Sequence, residues 1–331
     1  MRAAPRCSWL IPVRDGGPWL QDAVASALED AAADDEVIVV DDGSTDGAPG
    51  ALRPDPRLRV IVRPREGLVA ALEHGRQACR GEFVARLDAD DRAVPGRRDA
   101  QVAALDATLA LAAVGGRARL FADDGAPGEG MARYVAWVNA LDDVHRELLV
   151  ESPLFHPATT FRATAVDAIG GYRDADVPED YDLWLRLVAG GHRLANVPLE
   201  VVEIRDHAAR LTRTDARYRR EAFDRCRQDY LAATILARPR RVVVWAGRRG
   251  GRPWLRWLLA NGHEVPAIID VQGSGAERAS VPVRPPDALR SLDLDVVLVA
   301  VGAWGAREAI RERLLDLRPD LVEGRDWFAV L

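Results

Sequence analysis

Three carboxylates stand almost side by side at Asp88, Asp90 and Asp91, directly after the largely apolar run Phe83–Leu87. Such a cluster is costly to fold, because like charges repel unless a cation or a hydrogen-bond network offsets them. Hard divalent cations prefer oxygen ligands and often share them with the phosphates of a substrate. The cluster predicts a metal-assisted reaction on a phosphorylated substrate, and the alternative is a solvated acidic loop.

A second acidic loop, Asp41-Asp42-Gly43-Ser44-Thr45-Asp46, follows the β-branched run Val37–Val40. These residue types are typical of a turn with Asx and Ser/Thr caps. A carboxylate at a strand end can also accept hydrogen bonds from a nucleobase N–H or a ribose hydroxyl. The loop taken alone leaves both interpretations open.

A third group of acids opens a predicted helix in Pro178-Glu179-Asp180-Tyr181-Asp182-Leu183-Trp184. Acids in a first turn favour the helix dipole and cap free N–H groups. Three acids in this turn exceed what capping requires, so one of them is a candidate general base.

Two histidines, His156 and His207, are each more typical of a surface or packing residue than of a ligand when judged singly. His207 follows Arg205 and Asp206 and has no apolar face. It is therefore the better candidate for a metal or diphosphate contact.

Strand and helix patterns alternate over the first ninety residues or so. Because this order predicts a parallel sheet with right-handed crossovers, the carboxyl ends of the strands should meet at one edge. Asp42 and the Asp88–Asp91 cluster would then share a crevice, which favours their functional reading. Residues 96–150 are Ala-rich and predict mainly helix. The expected strands are Ser8–Val13, Val37–Val40, Leu58–Val62 and Phe83–Leu87.

A second α/β pattern begins at Arg241, after a linker at Ala237–Arg240. The segment Trp245–Gly251 lies where a dinucleotide fingerprint would be, but its glycines are out of register. Asp270 occupies the place of a ribose-binding acid. A structural α/β module is the favoured interpretation, and the expected domains are residues 1–236 and 237–331.

Composition narrows the class of protein. The 331 residues carry a formal net charge of −6, and all 45 basic residues are Arg. The acidic balance argues against a general nucleic-acid binder. Cys7, Cys79 and Cys226 indicate neither a disulfide framework nor a zinc site, which favours the cytoplasm. The sequence shows no signal-peptide pattern and no apolar run of the ~20 residues that a membrane span needs.

Together the motifs resemble family-2 glycosyltransferases of the GT-A nucleotide-diphospho-sugar transferase fold, over roughly residues 8–210. The resemblance implies an α/β fold with a mostly parallel sheet and helices on both faces. The C-terminal part resembles a small Rossmann-like α/β domain attached to some bacterial members. The motifs are Leu10–Gly16, Val40–Asp46, Gly81–Asp91, Gly170-Gly171-Tyr172 and Glu179–Trp184.

On the donor side, the resemblance implies that Asp42 contacts the base of a nucleotide sugar in a pocket lined by Pro12 and Arg14. Asp88 and Asp90 would form the family's Asp-x-Asp and hold Mg²⁺ or Mn²⁺ on the diphosphate, with Asp90 the more direct ligand.

On the acceptor side, Asp180 corresponds to the family's catalytic base, Glu179 supports it, and His207 sits where some members place a late metal or diphosphate contact. The chain has Asp15 and Glu73 at two positions where Asn is common in the family. Both departures concern donor binding.

The expected function is inverting, metal-dependent sugar transfer from a nucleotide-diphosphate donor, with a UDP-sugar expected, in bacterial surface polysaccharide or lipopolysaccharide assembly. The Gln-x-x-Arg-Trp motif of processive synthases is absent, which favours single transfers. The acceptor would be a glycan or a lipid-linked glycan. The Arg-rich segment 205–227 could hold that acceptor or touch the inner face of the membrane, or be a solvated helix face.

Two other functions stand beside sugar transfer. A sugar-1-phosphate nucleotidyltransferase would need a Gly-rich basic loop after the first strand, and Arg14–Pro18 is too short and acidic. A catalytically silent nucleotide-sugar-binding or scaffold protein, with the C-terminal domain as its interaction module, remains the alternative.

Overall fold

The computed structural model describes residues 4–247, 250–273, 275–303 and 305–331. Its contacts divide the chain into two units. The larger unit comprises the chain through Val144 together with Ser152–Cys226. The smaller unit comprises His145–Glu151 and Arg227–Leu331. None of the helices in the described ranges is both long and apolar enough to cross a membrane.

The larger unit has an eight-stranded sheet. Its strands are β1 (Cys7–Val13), β2 (Glu36–Asp42), β3 (Leu58–Arg63), β4 (Phe83–Arg86), β5 (Arg92–Ala93), β6 (Leu111–Phe121), β7 (Thr160–Arg162) and β8 (Arg193–Arg205). Its helices are α1 (Trp19–Asp30), α2 (Leu68–Ala78), α3 (Arg97–Ala107), α4 (Glu129–Asn139), α5 (Ala163–Ala168), α6 (Glu179–Ala189), α7 (Leu211–Thr214) and the first half of α8 (Arg220–Ala233).

The strand order is β3-β2-β1-β4-β7-β6-β8-β5. The predicted parallel core of β3, β2, β1 and β4 is confirmed. Beyond it, β7 runs antiparallel to both β4 and β6, and β5 runs antiparallel to β8. The prediction of mainly helix for 96–150 is right for α3 and α4 but wrong for β6.

Helices cover both faces of the parallel core, which explains why every residue of β1 and β2 is buried. Trp9 and Ile11 of β1 pack in one cluster with Leu20 and Val24 of α1. The residue between them, Leu10, lies on the opposite face against α2. This alternation is the period of a strand that is buried on both sides.

The smaller unit has a six-stranded sheet of order β11-β12-β10-β9-β13-β14. All neighbours are parallel except β11 and β12, and the parallel strands follow a doubly wound order. The elements are β9 (Val242–Trp245), α9 (Gly251–Ala260), β10 (Ile268–Ile269), β11 (Glu277–Arg278), β12 (Val281–Arg284), β13 (Val296–Val299), α10 (Ala306–Leu317) and β14 (Trp327–Ala329).

Candidate functional site

The carboxyl ends of β1, β2 and β4 lie at one edge of the sheet. Val13 pairs with Asp41, and Leu10 pairs with Arg86. The loops after β1 and β2 are joined by hydrogen bonds, because Asp15 Oδ1 accepts from Thr45 N at 2.7 Å. Asp15 has a φ of 51°, a left-handed conformation that Asp tolerates better than most residues. These contacts bring the first two sequence motifs together.

The nucleotide-binding residues expected from the sequence lie at this edge. Pro12 is buried in β1, and Arg14 is exposed just after it. Asp42 is buried, and its carboxylate accepts backbone N–H groups from Glu66 at 2.6 Å and from Gly67 at 2.9 Å. Asp42 therefore anchors the start of α2, and its contact with a nucleobase stays a prediction.

The Asp88–Asp91 cluster directly follows β4. Asp88, Asp90 and Asp91 each place a carboxylate oxygen within 4.8 Å of the others. Asp91 is fully buried, and its Oδ1 accepts from Arg205 N at 2.8 Å. Within the described residues, its Oδ2 has no hydrogen-bond partner. Burial, with the charges of Asp90 and Asp88, raises the pKa of Asp91 well above its usual value.

The segment after β8 packs onto this cluster. His207 Nε2 lies 2.7 Å from Asp90 Oδ2, where the resemblance led us to expect a late metal contact. Burial raises the pKa of Asp90, but His207 and Arg210 outweigh it and the net pKa is lowered. The Arg205 guanidinium donates to the Asp90 carbonyl and lies 5.2 Å from the Trp19 ring centroid.

Sequence reasoning missed Arg205 and Arg210 as parts of the site, because it treated the Arg-rich segment 205–227 as a surface. Arg205 is buried, and Arg210 Nη1 lies 3.7 Å from Asp91 Oδ1. Arg213 pairs with Asp206 at 2.6 Å. The number of arginines was visible in the sequence, but their internal partners were not.

The third acidic motif opens α6. Glu179 is buried and accepts from Tyr218 Oη at 2.8 Å and 3.1 Å, and its Oε1 lies 3.7 Å from His156 Nδ1. Burial raises the pKa of Glu179, but His156 and Tyr218 outweigh it and the net pKa is lowered. Asp180 is only partly buried, and its Oδ1 accepts from Tyr181 N at 2.7 Å. Of the two adjacent carboxylates, Asp180 is the more accessible.

Arg86 connects the two acidic centres. It is buried, and its Nη1 lies 2.5 Å from Asp88 Oδ1. Burial lowers the pKa of Arg86, but Asp88, Tyr172 and Glu179 outweigh it and the net pKa is raised. One buried cation therefore interacts with both the Asp88–Asp91 cluster and the Glu179 carboxylate. Neither Arg86 nor the buried His156 was predicted to belong to the site.

The residues present fit a hard divalent cation. The cluster is rich in oxygen donors, and Asp91 has an orphaned buried oxygen beside Asp88 and Asp90. Carboxylate oxygens are the ligands that Mg²⁺ and Mn²⁺ prefer, and the His207 imidazole lies beside one of them, Asp90 Oδ2.

Known proteins resemble this chain over its larger unit. Residues 8–170 match the family model "Glycosyl transferase family 2". The chain is 30% identical over 176 residues to the amylovoran biosynthesis glycosyltransferase AmsE of Erwinia amylovora, which covers 52% of this chain and 64% of the relative. The chain thus spans just under two thirds of that relative's length.

A second relative is the UDP-Gal:alpha-D-GlcNAc-diphosphoundecaprenol beta-1,3-galactosyltransferase of Escherichia coli, 26% identical over 206 residues, 59% of this chain and 71% of the relative. Among solved structures, S. aureus TarS 1-349 in complex with UDP-GlcNAc matches with a TM-score of 0.52 at 14% identity, over 70% of this chain and 67% of that one. At this identity the likeness concerns the fold, which is GT-A. The family-model match identifies residues 8–170 as a glycosyl transferase family 2 domain.

Proposed function

We propose that this chain transfers a sugar from a nucleotide-diphosphate donor to a hydroxyl acceptor, with inversion and one sugar at a time. The observation that carries the proposal is the meeting of two acidic centres around Arg86. Asp88 Oδ1 lies 2.5 Å from Nη1 of this guanidinium, and the charge of Glu179, next to Asp180, also raises the pKa of Arg86. A departing diphosphate needs positive charge close to it, and the proton of the acceptor hydroxyl needs a carboxylate within reach.

On the donor side, Asp88 and Asp90, with His207, would hold Mg²⁺ or Mn²⁺. A bound divalent cation neutralises charge that develops on the departing diphosphate. Asp42, Pro12 and Arg14 would line the nucleotide pocket at the adjoining strand ends. A UDP-sugar is the proposed donor, in keeping with the UDP-Gal in the name of the E. coli relative.

On the acceptor side, Asp180 would take the proton of the attacking hydroxyl. The hydroxyl oxygen forms a bond to the anomeric carbon on the face opposite the diphosphate, and the bond from that carbon to the diphosphate oxygen breaks. A single displacement of this kind inverts the anomeric configuration and needs no covalent intermediate. Glu179 supports Asp180 from inside the protein.

A glycan or lipid-linked acceptor in surface polysaccharide or lipopolysaccharide assembly fits the names of both relatives. We propose action on the cytoplasmic side, with peripheral membrane contact through segment 205–227. The more exposed side chains of that segment, such as Arg213 and Arg220, are the ones available for this contact.

The test is calorimetric titration of UDP, GDP and CDP with Mn²⁺ and then with EDTA, followed by nucleotide release from the matching sugar donors. Asp90→Ala should lose metal-dependent binding. Asp180→Asn should bind normally and turn over about 10²-fold or more slowly, the usual range for a lost general base. Asp124→Ala, an exposed acid of the same unit, is the control and should behave as wild type.

Equal turnover in Asp180→Asn would remove the base assignment. Binding by the wild type without any turnover would favour the silent nucleotide-sugar-binding or scaffold protein. No binding under any condition would contradict the donor site itself.

A further inference from the structure

His156 lies at the centre of the buried contacts around Glu179. It begins a single 3₁₀ turn, His156–Ala158, and is buried. Its Nε2 lies 2.8 Å from Tyr172 Oη, and its Nδ1 lies 3.7 Å from Glu179 Oε1. The ring also meets the edge of Trp184 at a centroid distance of 5.9 Å. Both nitrogens of a buried imidazole thus face polar groups.

The hydrogen-bonding partners of the His156 ring determine which of its nitrogens carries a hydrogen. An ionised carboxylate only accepts, so the nitrogen facing Glu179 is the one that carries the hydrogen, and Nε2 accepts from the Tyr172 hydroxyl. Burial and the charge of Arg86 lower the pKa of His156 to about 4, so the ring is neutral at neutral pH. A neutral ring with an Nδ1–H can hold a carboxylate without itself carrying charge into the interior.

We propose that His156 is a positioning residue of the transfer reaction, which holds the Glu179 carboxylate and thereby fixes the adjacent Asp180 toward the acceptor. The inference rests on the proposed function, because it takes Asp180 as the base. Glu179 is the first residue of α6 and Asp180 the second. Tyr218 donates to the Glu179 carboxylate and His156 faces the same carboxylate, so both constrain the first turn of α6.

A separation of 3.7 Å is longer than a hydrogen bond, and such contacts often tighten only when substrate binds. The contact matters for charge as well as position, because Glu179 is buried and depends on donors to stay ionised. The titratable and charged groups that face it are Arg86, His156, Tyr172, Asp180, Arg217 and Tyr218.

Two substitutions of one residue separate positioning from packing. In His156→Asn, the side-chain amide can place an N–H where Nδ1 was, which retains the contact with Glu179. In His156→Gln, the amide reaches the Nε2 position, which retains Tyr172 and loses Glu179. Tyr172→Phe removes only the hydroxyl on the far side of the ring. Each variant is compared with wild type for release of UDP from UDP-galactose with Mn²⁺ and water as acceptor.

We expect His156→Asn and Tyr172→Phe to keep kcat within about threefold, and His156→Gln to lose about tenfold to hundredfold in kcat with little change in KM, as for a misplaced catalytic group. The acid limb of the pH profile of kcat/KM should move to higher pH in His156→Gln alone. Without the contact from His156, burial raises the pKa of Glu179, so its carboxylate is protonated at a higher pH.

Equal kcat in the Asn and Gln variants of an active enzyme would overturn the positioning role and leave the proposed function intact. A wild type that releases no UDP would contradict the proposed UDP-sugar transfer and remove the inference with it. Nitrogen-15 NMR of the imidazoles in wild type does not depend on how the variants fold. A hydrogen on Nδ1 of His156 at pH 7 is expected, and one on Nε2 would contradict the assignment.

Discussion

At the scale of single residues, Arg86 holds together two motifs that are far apart in the chain. Its side chain is 2% exposed, forms an ion pair with Asp88 and interacts electrostatically with the Glu179 carboxylate. Within the described residues, its Nε has no hydrogen-bond partner. A buried guanidinium is costly to desolvate, and only its opposite charges offset that cost. Removing Arg86 would leave Asp88 and the buried Glu179 carboxylate without this cation.

We therefore expect Arg86→Met to lower the free energy of unfolding by about 3 to 5 kcal/mol at pH 7, the usual cost of breaking a buried pair. The difference in the free energy of unfolding between wild type and Arg86→Met should become smaller as the pH falls. In wild type the pKa of Glu179 is lowered, so its stabilising effect is present at neutral pH and lost on acidification. In the variant this pKa rises, and protonation relieves the penalty. Urea unfolding at pH 7 and pH 5 measures both.

The matched control is Arg133→Met, which removes an exposed ion pair with Glu129 at 2.8 Å on α4. Such surface pairs contribute about 0 to 1 kcal/mol. If Arg86→Met cost no more than this control at pH 7, Arg86 would not be the cation on which the site depends.

At the scale of elements, α2 packs closely against the parallel core. A Cβ built on Gly75 of this helix would lie 2.2 Å from Leu10 Cδ1 and 2.8 Å from Val40 Cγ2. Leu10 belongs to β1 and Val40 to β2, so a single glycine allows α2 to contact both strands. The same helix begins at the loop that Asp42 anchors, which links its packing to the nucleotide-binding edge.

Gly75→Ala should therefore destabilise the protein by about 1 to 3 kcal/mol through overpacking, despite the better helix propensity of Ala. Gly130 of α4 is an exposed helical glycine with no atom within 4 Å of its built Cβ. Gly130→Ala should instead stabilise by roughly 0.5 to 1 kcal/mol. Denaturant unfolding of both variants measures the difference, and a stabilising Gly75→Ala would contradict the close packing of α2.

The sequence predicted the parallel core because its strands are apolar, β-branched and separated by periodic helices. It did not predict β6, whose Ala-rich sequence carries Gly115 and Gly116 in its interior. Those glycines fit a crowded sheet, where a Cβ on Gly116 would lie 2.7 Å from the side chain of Val201. Glycine in a strand marks such close approach, but the neighbour that requires it is distant in sequence.

The residues of the candidate site also include some that the sequence predicts and others that it does not. The acids at the strand ends could be predicted because chain order alone brings parallel strand ends to one edge, and those that open α6 because they outnumber what helix capping requires. Arg86 and His156 could not, since an Arg within a strand and a His before Pro157 carry no signal of their own. Their roles depend on burial beside Asp88 and Glu179, which only the folded arrangement supplies.

At the scale of the whole molecule, the smaller unit is not continuous in sequence. The segment His145–Glu151 belongs to it together with Arg227–Leu331. Buried Glu147 lies 3.2 Å from Arg307 and 2.5 Å from Arg311, both on α10. The boundary between residues 236 and 237 rests on linker composition, which carries no information about a distant segment. That boundary stays a proposal for the functional domains.

If His145–Glu151 stabilises the smaller unit, Glu147→Gln should weaken that unit specifically, because Arg307 and Arg311 lose their shared carboxylate. We expect a loss of about 1.5 to 3 kcal/mol, the range for hydrogen bonds to charged groups. Hydrogen exchange should rise at the amides of β9 and β13 and stay unchanged in β1 and β2. Asp287→Asn, which removes an exposed ion pair with Arg313, should change neither the stability of the smaller unit nor its hydrogen exchange. Faster exchange in β1 and β2 alone would mean that the segment instead stabilises the larger unit, and the chain would then divide as the linker composition suggests.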